Sequence, residues 1–338
     1  MSRVLVARMD NAGDVLLAGP AVRAVAASVG PVTFLCGARG RAAAELLPGV
    51  GEVIEWTAPW IDPEPEPVST VDVLALAGLL RRRVAAAIVL TSFHQSALPL
   101  ALLLRMADVP YVAAYSEDYP GSLLDLRATP DDGVHEVQRS LDLVRLAGYP
   151  LPEGDDGRLR MRRPGRMPAG LAPSYVVVHP GASVTARTWS PARWGQLVAL
   201  LAARGRRVVV TGTPAERRLT ALVAGRDGVD LGGATDLAGL AEVLAAADAV
   251  VTGNTGPAHV AAAVGTPVVS LFAPTVPAHR WHPWGVPYAL LGDQDIACAG
   301  CRARECPVPG HPCLEGVAAA EVAGAVESLA GRAIEEAV

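Results

Sequence analysis

The sequence contains no lysine: all 29 of its cationic residues are arginine. Schiff-base chemistry and a Walker-type phosphate loop both need a lysine amine, so both are excluded. Aromatic residues make up only 4% and charged residues 19%, while hydrophobic residues reach 51%. So much apolar material excludes a disordered or fibrous protein. Long hydrophobic runs are missing too. The stretch 98–104 is interrupted by Pro99 and closed by Arg105, far short of the roughly 20 residues that cross a bilayer. The first apolar run, 4–7, is broken by Arg8 and Asp10, and it lacks the longer core and cleavage site of a signal peptide. Five cysteines, an odd number, fit a reducing compartment better than a disulfide framework. The net charge of −5, with no like-charge block beyond Arg81-Arg82-Arg83, leaves no electrostatic footprint for nucleic acid. A cytoplasmic protein that binds no nucleic acid is expected.

At 338 residues the chain is long for one core and comfortable for two. Short β-branched runs at 3–9, 31–37, 52–56 and 84–92 alternate with helical patterns at about 14–28, 95–106 and 136–147. Four prolines between Pro59 and Pro67 forbid regular structure there, and 123–134 has turn chemistry. A stretch rich in proline, glycine and arginine then reads as a linker, giving domains at 1–160 and 173–338 joined by 161–172. The second half repeats the grammar: strands at 175–179, 207–211, 229–231, 249–252 and 267–272, and helices at 191–204, 214–224, 237–246 and 257–264. Strands alternating with helices imply an α/β protein of two doubly wound parallel sheets, with helices on both faces. Ligands of such sheets bind at the carboxyl ends of the strands, here in a cleft between the domains. A last helix over 316–336 is long enough to pack back across the hinge.

The first strand runs into Asp10-Asn11-Ala12-Gly13-Asp14, with one glycine where a dinucleotide site wants G-x-G-x-x-G, so no NAD or FAD site is expected. Asp14 stands either as the N-cap of the next helix or as a carboxylate poised to act as general base. Three features of the second half read together as an anion site. His179-Pro180-Gly181-Ala182-Ser183 leaves a strand through a flexible turn, followed by Thr185 and Arg187. Arginine grips phosphate oxygens through two parallel N–H bonds. Gly253-Asn254-Thr255-Gly256-Pro257 joins a strand to a helix whose free N–H groups suit a diphosphate. His259 lies on that helix, either as a satisfied structural histidine or as part of the site. Glu216, after Gly212-Thr213-Pro214-Ala215, either accepts ribose hydroxyls or is a first-turn acid favoured by the helix dipole. Cys298, Cys301, Cys306 and Cys313, with His311 nearby, offer donors enough for a structural zinc, but the spacing is not a zinc-ribbon spacing and free thiols are the first reading. Cys36 reads as core. The stretch from His279 through Trp281 and His282 to Trp284 is either a sugar-stacking wall or a set of loop anchors.

Taken in order, these segments resemble glycosyltransferase family 9, the lipopolysaccharide heptosyltransferases. The resemblance rests on Asn11-Ala12-Gly13-Asp14-Val15-Leu16, on His179-Pro180-Gly181-Ala182 with Arg187-x-Trp189-x4-Trp194, and on Asn254-Thr255-Gly256-x2-His259. It extends to the run from Pro267 to Thr275 and to the cysteine loop with Arg304-x-Cys306-Pro307 and Cys313. The resemblance implies a GT-B architecture, with an acceptor domain at 1–160 and a nucleotide-sugar domain at 173–338. It implies a metal-independent, inverting transfer that needs no cofactor and takes ADP-heptose as co-substrate. Asp14 matches the family's base and Arg187 its phosphate-binding lysine, while Glu216 aligns with the ribose-contacting acid. Thr255, Gly256 and His259 match the diphosphate and sugar end of the donor pocket. Ser183, Thr185, Gly212, Thr235 and Asn254 complete the expected donor-binding set, and Asn11 and Gly13 fall on the acceptor side. There are two departures: arginine for lysine at 187, and Asn254 where the family usually carries aspartate.

The expected activity is therefore transfer of a heptose to a hydroxyl of a cell-envelope glycan or natural-product acceptor, with peripheral membrane association if that acceptor is a lipid. A nucleotide-sugar epimerase and a non-catalytic nucleotide-sugar-binding protein are the alternatives. Acceptor recognition is expected in the loops 57–70 and 118–134.

Overall fold

The computed structural model describes residues 3–129, 131 and 133–335, with side chains described through Ala330. The chain divides into two compact units, a first through Arg162 and a second from Arg163.

In the first unit, β1 (Arg3–Arg8), β2 (Val32–Cys36), β3 (Val50–Glu55), β4 (Val84–Leu90), β5 (Tyr111–Tyr115) and β6 (Leu126–Ala128) form one sheet in the order β3-β2-β1-β4-β5-β6. In the second, β7 (Val176–His179), β8 (Val208–Gly212), β9 (Val229–Gly232), β10 (Ala249–Gly253), β11 (Val268–Leu271) and β12 (Tyr288–Leu291) run β12-β11-β10-β7-β8-β9. Every pairing is parallel. Counted from its own first strand, each sheet has the order 3-2-1-4-5-6 of a doubly wound Rossmann unit. The central strands are near-continuous apolar runs because helices cover both of their faces.

That order places the reversal of winding between β1 and β4 in one unit and between β7 and β10 in the other. Register then decides which loops meet. Arg8 pairs with Leu90, so the turn after β1 lies beside Thr91 and Ser92. His179 pairs with Thr252, so the turn after β7 lies beside the 253–256 segment.

The second core is built around Trp189 and Trp194, whose rings meet edge to face at 5.4 Å. The final helix, Ala319–Glu335, sets Val322, Ala323, Val326 and Leu329 into the same core, so its apolar face belongs to the second unit's interior. It starts later than expected because Pro312–Glu315 forms a separate short turn of helix, and Glu336 of the expected span lies outside the described residues. The helix expected over 14–28 is two, Ala12–Leu17 and Gly19–Val29, because Pro20 supplies no N–H at the break. The helix Thr70–Leu80 and strands β5, β6 and β12 are further elements, and β6 interrupts the expected turn region 123–134, of which Pro130 and Asp132 are not described. Among the described residues no helix is long and apolar enough to cross a membrane.

Candidate functional site

The reversal point of the first sheet is a buried knot of charge. Arg8, only 1% exposed, ends an otherwise apolar strand. Its Nε lies 2.7 Å from Asp10 Oδ2, its Nη2 3.2 Å from Asp14 Oδ1, and its Nη1 3.5 Å from Glu136 Oε2. Nη2 also donates to Ser92 Oγ at 2.8 Å. Gln95 donates to Asp10, and Arg139 donates to the Thr91 carbonyl while its guanidinium lies 4.4 Å over the Tyr115 ring. Burial by itself would lower the Arg8 pKa, but the carboxylates of Asp10, Asp14 and Glu136 outweigh it and push the pKa up. Burial raises the Asp10 carboxyl, against the pull of Arg8.

Asp14 is not the N-cap. Asn11 takes that position, exposed and without a side-chain cap bond, and Asp14 sits in the first turn beside the buried Gly13. Its carboxylate remains 23% exposed while Arg8 holds one oxygen. This is an oriented, solvent-reachable carboxylate, the geometry a general base needs.

The reversal point of the second sheet is built differently. Thr255 opens the helix Gly256–Ala263 without a side-chain cap bond; Pro257 has no N–H and Ala258 N donates to the Thr255 carbonyl at 3.1 Å, which leaves the Gly256 N–H at the helix start. Gly253 is required just before it, since a Cβ there would stand 2.6 Å from the Arg187 carbonyl oxygen. Arg187 directs Nε to Thr275 Oγ1 at 3.2 Å and Nη1 towards the Asn254 carbonyl at 3.5 Å, which holds its guanidinium beside the turn. His259 is buried and its Nδ1 has no hydrogen-bond partner, so it is not a satisfied structural histidine. Burial first, then the nearby His282 and Arg187 charges, lowers its pKa to about 4. His179, bonded to Thr211 Oγ1 at 2.9 Å, is likewise lowered by burial to about 4, against the opposing pull of Glu216.

Glu216 closes a capping box, accepting from Thr213 N at 2.7 Å and Thr213 Oγ1 at 2.8 Å through Oε2. Its Oε1 lies against Gly181, where a Cβ would come within 2.0 Å of it. Glu216 is thus the first-turn acid of its helix and closes its cap, while its second oxygen lies against the turn after β7. Gly212 is small because the Thr220 methyl and Glu216 Cβ crowd it.

The other expected donor residues divide. Ser183 is exposed on the loop after β7, and Gly256 supplies the first helical N–H. Thr185 Oγ1 donates to the Arg304 carbonyl at 3.0 Å, tying the loop to the cysteine segment. Asn254 is held by the Ala273 backbone, donating to its carbonyl at 3.2 Å and accepting from its N–H at 3.3 Å. Thr235 follows β9, two strands away from β7, and precedes the helix cap Asp236. Cys298, Cys301, Cys306 and Cys313 line one small hollow with His311, and all are free thiols. Burial and the neighbouring thiols raise Cys313 to about 11, and among the described residues no three His, Cys, Asp or Glu side chains gather to hold a metal ion. His282 stacks on Tyr288 and Trp284, at 4.9 and 6.2 Å, so these rings anchor one another. Arg8, Glu136 and Arg139 were not predicted; an arginine closing a buried apolar strand was the signal that could have found them.

The family model of glycosyltransferase family 9 (heptosyltransferase) matches residues 74–311. The chain belongs to glycosyltransferase family 9. Within family 9 it is 37% identical over 179 residues to lipopolysaccharide heptosyltransferase 1 of Pseudomonas aeruginosa, covering 52% of this chain and 49% of that one. The chain thus spans about half the length of the curated relatives it matches. Its fold is that of a family 9 glycosyl transferase from Veillonella parvula, with a TM-score of 0.76 at 16% identity, covering 98% and 97% of the two chains. The ADP-heptose lipopolysaccharide heptosyltransferase II of E. coli gives a TM-score of 0.73 at 19% identity, covering 98% and 99%.

Proposed function

We propose that this chain is an inverting glycosyltransferase that moves a heptose from ADP-heptose to an acceptor hydroxyl in the cytoplasm, without a metal ion. The observation that carries the reading is Asp14: an Arg8-held, solvent-reachable carboxylate in the first turn after β1, at the reversal point of its sheet. The acceptor hydroxyl gives its proton to Asp14 as its oxygen bonds to the anomeric carbon. The bond from that carbon to the diphosphate oxygen breaks, and the nucleoside diphosphate leaves with the electron pair. Arg187 and the N–H of Gly256, at the start of the helix Gly256–Ala263, receive the charge that develops on it. The unpartnered Nδ1 of His259 supports a ligand there, because a buried polar atom without a partner is costly. Glu216 Oε1 is offered to a ribose hydroxyl. The ADP-heptose donor rests on the relative that carries it in its name.

Asp14→Asn tests this directly. A positioned base supplies about 10²–10⁴-fold, so turnover should fall by that factor while calorimetric affinity for ADP-heptose stays the same. Near-normal turnover in the variant would remove Asp14 from the chemistry. Isomerisation of the donor with no acceptor present would make the protein an epimerase instead.

A further inference from the structure

A cavity of about 540 Å³ in the first unit lies between the loop after β3 and the helix Thr70–Leu80, and no residue of the mechanism above lines it. Its floor is apolar, with Ile54, Val73 and Leu76. Trp56 stands on its wall, its ring 5.4 Å from that of Trp60. The rim carries Glu55, Asp62, Glu64, Glu66 and Asp72, and among the lining residues there is no arginine or histidine. Two arginines reach these acids from outside: Arg41 to Glu55 at 3.3 Å, and Arg39 to Asp62 at 3.4 Å and Glu64 at 4.0 Å. The lining itself thus carries five carboxylates and no cation over an apolar, aromatic bed. Thr57 and Asp62 also line a separate, smaller hollow whose wall includes Asp10, Asn11 and Arg39, in the same turn region that carries Asp14.

Resting on the transfer reading above, we propose that this cavity seats the acceptor and selects a small amino sugar bearing protonated amines. The volume suits a di- or trisaccharide-sized ligand, within the usual range of a few hundred Å³ for small-molecule sites. Ammonium groups are complementary to the rim, and both they and the apolar face of a sugar ring suit an indole. An anionic glycan would meet like charge at each of these positions.

Binding to the full-length protein, without donor, is measured for three disaccharides of equal size. These are the glucosamine dimer below neutral pH, its N-acetylated counterpart, and a uronic-acid disaccharide. Exposed charge pairs are worth a factor of roughly 1.5–5 each, so the free-amine dimer should bind about tenfold tighter than the acetylated one. High salt should erase that advantage, and so should the triple variant Glu64→Gln, Glu66→Gln, Asp72→Asn, whose melting temperature reports that it is folded. Equal binding of the two dimers, tighter binding of the uronic acid, no measurable binding of the amine sugar, or an unchanged preference in the folded variant each overturns the proposal. ADP-heptose affinity is measured on the same protein. Its absence would sink the transfer reading while leaving the amine preference to stand by itself.

Discussion

At β1 and β4 two buried arginines gather the carboxylates of Asp10 and Glu136 and the part-exposed one of Asp14, whereas at β7 and β10 the buried ionisable groups are histidines held neutral. The two sheets share one strand order and one place of reversal, so topology does not explain the contrast. The roles proposed for the two ends account for it. A base has to remain an oriented anion, and a buried arginine that balances several acids holds one in place. In the proposed transfer a diphosphate brings its own charge, and among the described residues the turns after β7 and β10 offer it the Gly256 N–H, Arg187 and the second oxygen of Glu216. One architecture thus carries two opposite electrostatic designs.

The contrast can be broken at Arg8. Arg8→Leu leaves Asp10, Asp14 and Glu136 without their shared cation, and stability in urea should drop by about 3–5 kcal/mol. Mild acidification should return part of it by neutralising the acids; a loss below about 1 kcal/mol would mean that the charges are solvated after all.

Acid sensitivity sharpens the comparison next. His179 and His259 sit at about 4 in the folded protein against 6.5 when unfolded, so the unfolded chain binds protons that the folded one refuses. The stability held by the second unit should therefore fall as pH drops from about 6.5 towards 4, and be level above that window. Asp10, raised by burial, runs the other way: its share is present below its ordinary value of 3.8 and is lost as pH rises through its folded value. Replacing both histidines with glutamine should flatten the acid limb of the stability curve, and an unchanged limb would show that they titrate normally.

A smaller effect is expected at Arg187. Removing a charge-assisted bond to phosphate costs about 1.5–3 kcal/mol, so Arg187→Ala should weaken ADP-heptose binding by roughly 10–100-fold in calorimetry, with no change in thermal stability. Unchanged affinity would move the diphosphate elsewhere. The smallest loss is expected for Gly253→Ala, whose Cβ would press on the Arg187 carbonyl at 2.6 Å. It should cost about 1–3 kcal/mol of stability, and donor affinity should fall with it because the Arg187 loop is displaced. A donor affinity equal to wild type would show that the loop can yield.

Much of this organisation is legible in the residues. Valine runs such as Val176–His179 announce buried parallel strands, and Gly253 to Pro257 reads as a strand-to-helix anion turn before any coordinates are seen. Three-residue β6 and edge strand β12 carry too short a pattern to register, and the helix Thr70–Leu80 hides behind prolines with apolar residues all round. Of the candidate site, Asp14 and Arg187 are singled out in the sequence for their chemistry, and in the fold they lie on the segments that follow β1 and β7, the strands at the reversal points. Their neighbours are not. Glu136 lies 128 positions from Arg8 in the chain, and no local signal joins them.

Periodicity, turn chemistry and composition are local properties, so by themselves they determined two doubly wound units and which turns could carry chemistry, while the family came from the resemblance of the ordered motifs and the match over residues 74–311. Only tertiary packing decided that Arg8 would gather three acids, that Asn254 would be held by the Ala273 backbone beyond β11 rather than left open, and that the acids after β3 would ring one cavity. Coulomb and desolvation energies depend on distance and burial, and those are quantities that strand order and register set across the whole chain.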